Sequence, residues 1–260
     1  CSSSNKIRKP AAIDHLEELM TLTDAVMVAR GDLGVELPPE KVPGLQKKIV
    51  KLCRKWGKPV VVATQMLDSM VHSPAPTRAE ASDVATAVYD SADAVMLSAE
   101  TAAGEYPIES VDMMNRIILE AEGDEAYQAS TTSKQNVIEP TVSDAITLAA
   151  RQVAETVNAN CIVTYTTSGS TTLRAARERP TVPILCVTSS LLTARRMAIA
   201  WGIHSVHIDQ EERFSTVVKR AVDIAETQGF ASSGDHIVIT AGVPMGKSGS
   251  TNVLRIERIP

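Results

Sequence analysis

VARGDLGVELP (28–38), KPVVVATQMLDSM (58–70), PTRAEASDVA (76–85) and ADAVMLSAETAAGEYP (92–107) follow one another along the first half of the chain. In and beside these blocks, three short β-type runs recur: Ala25–Val28, Val60–Val62 and Ala94–Leu97. The runs end at an even interval, and helical patterns at Val42–Trp56 and Arg78–Ala87 lie between them. Strand, helix, strand at this interval is the βα unit of a parallel sheet or barrel. A full barrel of eight units takes roughly 250 residues, so this region supplies about three or four units. A helix is expected over Pro107–Ala126, and the polar stretch Ser130–Pro140 then reads as a linker.

The alternation resumes on a fresh core. Helices are expected over Ser143–Val157, from near Ser168, over Leu191–Trp201 and over Glu211–Gln228. Strands are expected at Cys161–Tyr165, Ile184–Thr188, Val206–Ile208 and Ile237–Ala241, with a final alternating run at Asn252–Ile259. The expected class is therefore α/β. The last units of a (β/α) barrel occupy residues 1–123, and a separate open α/β domain occupies 124–260.

Bulk properties narrow the function. The 260 residues are 44% hydrophobic and 22% charged, ordinary values for a globular protein. A net charge of −5 provides no basic footprint for nucleic acid, and 3% aromatics leaves few stacking platforms. Four cysteines, Cys1, Cys53, Cys161 and Cys186, show no CxxC spacing and read as reduced thiols. No apolar run reaches membrane-spanning length, so a soluble cytoplasmic protein is expected, with no membrane partner. The first residue is Cys rather than Met, which gives the expectation of a fragment or a processed product.

Polar residues follow each early strand: Arg30, Gly31 and Asp32; Thr64 and Gln65; Ser98 and Glu100. In a βα barrel these positions form the C-terminal rim, where reactive groups gather. One such residue reads as a helix cap, but three in register read as a shared site. Asp32, beside Gly31 and Gly34, is a carboxylate able to hold Mg²⁺ together with substrate oxygens. The Gly31 and Asp32 amides at a helix start would face an anion. Together these features fit phosphoryl or enolate chemistry.

Two later loops are candidate anion sites. Thr166-Thr167-Ser168-Gly169-Ser170-Thr171-Thr172 stands between a strand and a helix, with more hydroxyls than capping needs. AGVPMGKS (241–248) matches a relaxed nucleotide loop, but SGSTNVLRIERIP follows it in place of a helix. The nucleotide-hydrolase reading is therefore rejected. Lys247 and Ser248 stay open between an anion loop and a glycine-rich hairpin.

From Asp24 to Ser110 the chain closely resembles the catalytic barrel of the pyruvate kinase family, and from Ser143 onward it resembles that family's C-terminal domain in element order. The resemblance implies phosphoryl transfer from phosphoenolpyruvate to ADP, giving pyruvate and ATP, with Mg²⁺ and K⁺. It places Lys6 at the transferred phosphoryl group and Asp32 on the metal. Gly31, Asp32 and Thr64 fall on the substrate carboxylate, and Ser98 in the proton relay. It also implies a homotetrameric parent, with Pro76–Glu80 near an interface. In the second domain it implies a site for a sugar phosphate or AMP effector, built from residues 166–171 with Lys247 and Ser248. Thr171 stands where a bisphosphate-responsive relative can carry lysine, so a monophosphate is expected.

The sequence also departs from the family. The family segment reads Lys-Ile-Glu, with the Glu on the metal; here it is Lys6-Ile7-Arg8. Residues 1–5 are polar and unlike the family's buried strand. Ala99 and Ala103 replace a glycine and a lysine. The K⁺ site and the nucleotide-contacting residues belong to an upstream half that this sequence does not contain. The chain by itself is expected to be inactive. The alternative is a non-catalytic module that binds phosphate or sugar phosphate.

Overall fold

A computed structural model describes residues 4–8, 10–125, 127, 141–211, 213–245 and 249–260. The chain divides into two compact units, Cys1–Asn136 and Val137–Pro260. The expected boundary at 123/124 falls at the end of a helix, ahead of that division.

The first unit alternates β1 (Ser4–Ile7), α1 (Pro10–Asp14), α2 (Leu16–Leu22), β2 (Ala25–Ala29), α3 (Arg30–Glu36) and α4 (Val42–Lys55). It continues with β3 (Val60–Ala63), α5 (Arg78–Tyr89), β4 (Ala94–Met96), α6 (Ala99–Ala102) and α7 (Pro107–Gly123). Its sheet runs β1-β2-β3-β4 with every pairing parallel. The register Ile7↔Val28 and Val28↔Val62 carries one row of apolar residues across three strands. Val26, Val28, Val60 and Val62 are fully or nearly fully buried, as a parallel sheet covered on its faces requires. Met20, Leu33, Ile49, Met66 and Met70 close over them. Each such side chain contributes about 1.5–3 kcal/mol by leaving water.

Local chemistry sets the helix ends. In α4 a proline stands in the first turn, and Arg54 and Lys55 face the carbonyl end. Gly57, at φ 61°, then breaks the run in the left-handed region. In α5 Thr77 and Glu80 form a reciprocal capping box.

β1 is the strand that the sequence pattern did not offer. Ser4 and Asn5, polar and unlike a buried strand, pair with Ala25 and Val26. Only Ile7 of the four residues is buried, so no apolar alternation marks the segment.

The second unit runs α8 (Val142–Thr156), β5 (Cys161–Tyr165), α9 (Ser170–Arg177), β6 (Ile184–Thr188) and α10 (Leu191–Met197). It continues with β7 (Ile203–His207), α11 (Phe214–Thr227), β8 (His236–Gly242) and β9 (Thr251–Arg258). The sheet order is β7-β6-β5-β8-β9; β9 alone pairs antiparallel. α10 ends before its expected limit at Trp201, and β7 begins before its expected start at Val206. Gly202, at φ 67°, makes the turn between them.

Inside this unit Asp144 on α8 is fully buried. Its Oδ1 accepts from Arg174 and, at 2.8 Å, from Arg177 Nη2. Arg177 also reaches Glu178 at 3.2 Å. Burial raises the Asp144 pKa, but the hydrogen bonds and charges of the two arginines outweigh it and hold the carboxyl below its ordinary value.

Candidate functional site

The parallel sheet of the first unit brings the ends of its strands to one edge, and the charged residues of the sequence gather there. Lys6 and Arg8 lie two apart, so the strand alternation points them the same way. Both reach a single oxygen, Asp32 Oδ2: Lys6 Nζ at 3.0 Å and Arg8 Nε at 3.4 Å.

Thr64 follows β3 in a left-handed conformation, φ 73°, and Gln65 continues it at φ 53°. For a β-branched residue this costs about 1–3 kcal/mol, so the surroundings must hold the turn. Thr64 Oγ1 accepts from the Gly31 amide at 2.7 Å and donates to the Ala63 carbonyl at 2.6 Å. Arg30 donates to the carbonyls of Thr64 and Gln65, at 2.8 and 3.1 Å. Its other arm is fixed on Asp83 at 2.6 Å. Buried Glu100 links the neighbouring loops, taking the Leu67 amide on Oε1 at 3.1 Å and the Ser98 amide on Oε2 at 2.7 Å.

The structure thus joins Lys6 to Asp32 and Gly31 to Thr64. Ser98 connects to the turn after β3 through Glu100. The Gly31 amide, expected to face an anion, is engaged by Thr64 Oγ1. Arg30 and Glu100 were visible in the sequence as rim residues, but not as the groups that fix the turn. A charged residue directly behind a buried strand was the available signal.

These residues do not fit Mg²⁺. Asp32 contributes one carboxylate, and its buried Oδ2 already holds two cations that would repel a divalent ion. Arginine cannot coordinate a metal. Among the described residues there is no cluster of three or more His, Cys, Asp or Glu able to hold an ion.

In the second unit the hydroxyl-rich loop leaves β5. Thr166 Oγ1 accepts the Gly169 amide at 3.0 Å, closing a tight turn. Gly169 sits at φ 88°, and a Cβ there would lie 2.8 Å from Met197 Cε. Thr193 Oγ1 donates to the Thr167 carbonyl at 2.8 Å and ties α10 to the loop. Ser168 Oγ reaches Ser170 Oγ at 3.2 Å. Thr171 is buried against Thr251 Oγ1 at 2.6 Å, and Thr172 against Thr164 Oγ1 at 2.7 Å. Several hydroxyls therefore hold the loop together, while Thr167 and Ser168 remain exposed. Lys247 and Ser248 lie outside the described residues, as does the linker expected at Ser130–Pro140.

A parallel βα sheet with charged groups at its strand ends, followed in sequence by an open α/β unit, defines a two-unit α/β protein with its rim site on the first unit. The family model for the pyruvate kinase barrel domain matches residues 4–111, and that for the pyruvate kinase alpha/beta domain matches 144–257. The chain belongs to the pyruvate kinase family. A pyruvate kinase of Methylorubrum extorquens is 50% identical over 251 residues, covering 96% of this chain and 52% of the relative. One from Agrobacterium vitis is 50% identical over 98% of this chain and 53% of its own length. The crystal structure of a pyruvate kinase from Cryptosporidium parvum superposes with TM-score 0.88 at 36% identity, covering 99% of this chain and 51% of that one. The chain spans about half the length of the curated relatives it matches. Among the described residues no helix is long and apolar enough to cross a membrane.

Proposed function

We propose that this chain carries part of the phosphoenolpyruvate site of a pyruvate kinase, and that by itself it binds anionic ligands without turnover. One observation carries the reading: Lys6, Asp32, Gly31 and Thr64 converge at adjacent strand ends. Within a longer protein these groups serve phosphoryl transfer from phosphoenolpyruvate to ADP, giving pyruvate and ATP. Lys6 offsets the charge of the phosphoryl group. Thr64, with the Gly31–Asp32 segment, orients the substrate carboxylate. Ser98 belongs to the proton-handling side, positioned through Glu100. Family use of Mg²⁺ and K⁺ would require an acidic ligand at position 8 and a K⁺ site outside this chain. The longer protein is proposed to be a cytoplasmic homotetramer.

The second unit is proposed to take the phosphate of a sugar monophosphate or AMP on the Thr166–Thr171 loop, with Lys247 and Ser248. Two features support this: the tight Thr166–Gly169 turn and the exposed hydroxyl of Ser168. A non-catalytic phosphate-sensing module is the second reading, favoured by Arg8 on Asp32.

Thermal unfolding with millimolar phosphoenolpyruvate, ribose 5-phosphate, AMP or fructose 1,6-bisphosphate tests the reading, beside an assay of pyruvate release. A native-state ligand at a hundredfold its Kd adds about 2.7 kcal/mol. Upward shifts with phosphoenolpyruvate and with a monophosphate, without pyruvate release, are expected. A cooperative transition that no ligand moves would overturn the proposal.

A further inference from the structure

We propose that the rim of the first unit is a metal-independent anion site, in which the guanidinium of Arg8 acts in place of a divalent cation on Asp32. The inference rests on the substrate reading above and deepens it, because it assigns the charge that would meet the ligand. Lys6 and Arg8 bring two positive charges to one carboxylate. Asp32 cancels one and leaves a surplus of one. Arg30, close by, adds nothing to that surplus because Asp83 neutralises it at 2.6 Å.

The three side chains are reachable. Arg8 is 59% exposed, Lys6 35% and Asp32 42%. Asp32 engages Arg8 through Nε, which aims the guanidinium fork without enclosing it. Arginine stays charged at every working pH and binds carboxylate or phosphate through two parallel hydrogen bonds. The ammonium of Lys6 has three donors and meets Asp32 with one edge. A divalent ion on Asp32 would stand beside two cations already paired with Oδ2 and would be repelled by each. A small anion meets the opposite situation, with two cationic side chains already held side by side on one carboxylate. The chemical class is a compact dianion carrying phosphate or carboxylate groups, as phosphoenolpyruvate does.

Titration calorimetry on the full chain decides the matter, using phosphoenolpyruvate and, separately, inorganic phosphate, each in EDTA and in Mg²⁺. The wild type is expected to bind in EDTA, with Mg²⁺ changing Kd by less than about threefold. Arg8→Gln, at an exposed position where folding is not at risk, is expected to weaken binding by about tenfold or more. Arg8→Glu is expected to bind phosphoenolpyruvate only when Mg²⁺ is present. Wild-type binding that requires Mg²⁺ would overturn the inference and leave the substrate reading intact. Phosphate binding in EDTA that Arg8→Gln weakens, without phosphoenolpyruvate binding, would uphold the anion site and sink the substrate reading. Anion binding that Arg8→Gln leaves unchanged would place the ligand elsewhere and refute the proposal.

Discussion

Asp144→Asn separates charge from shape in the core of the second unit. Both arginine contacts go to Oδ1, so the asparagine carbonyl keeps the acceptor, while the negative charge is lost and an amide donor replaces the buried, unpartnered Oδ2. What remains is Arg177, 5% exposed, with Glu178 as its nearby acid, and Arg174, 30% exposed. Breaking a buried pair by removing one partner costs about 3–5 kcal/mol. Glu178 and the partial exposure of Arg174 place this case near the lower end, about 3 kcal/mol. In urea, with a slope of about 2 kcal/mol per molar, the midpoint should fall by about 1.5 M. Fluorescence reads this selectively, because Trp201 lies in the second unit, 4.8 Å from the Arg179 guanidinium, and Trp56 in the first. The folded carboxyl titrates below its unfolded value of about 3.9, so its contribution is complete above that pH and is lost as pH falls through the folded value. Wild type and variant should therefore converge in acid. A midpoint shift under about 0.3 M at neutral pH, with unchanged slope, would refute the reasoning.

Glu80→Gln should destabilise the first unit by about 1 kcal/mol at neutral pH, read as a lower Tm. Burial raises the Glu80 pKa, but donors from Ser69 and Thr77 outweigh it and bring it to about 2. Its benefit is present above pH 4.5 and disappears as pH drops toward 2, so the Tm difference should close in acid. Gly169→Ala forces a Cβ into the left-handed region and should cost about 1–2 kcal/mol by urea denaturation; Met197 Cε can move aside, so the strain is mainly in the backbone. Arg30→Met removes two donors from the Thr64–Gln65 turn, and hydrogen exchange at the Gly31 amide should accelerate by about tenfold. An unchanged rate would mean that the turn is held without Arg30.

What could be read from the sequence was decided by burial. β2, β3, β5, β6 and β8 carry Val and Ile runs because both faces of their sheets are covered, and the runs alone reveal them. β1 buries one residue in four, so only its pairing with β2 identifies it. β7 is half-exposed along its length, which blurred both its start and the end of α10. The rim positions were legible because polar residues interrupt apolar strands in register. The positive φ of Thr64 was not, because β-branched residues disfavour that conformation and local sequence gives no sign of it. The helix start at Arg78 was legible, but the Thr77–Glu80 box in PTRAE that caps it was not read, because that segment was taken for an interface.

The Thr64 turn also sets a conflict between robustness and use. A screen that scores thermal stability alone would be drawn to glycine at this position wherever relief of the left-handed backbone strain outweighs the lost hydroxyl contacts. The same change would delete the hydroxyl that receives the Gly31 amide. Heat-selected descendants of this chain would then gain lifetime while losing the link between two adjoining strand ends, and a melting curve would not report that loss.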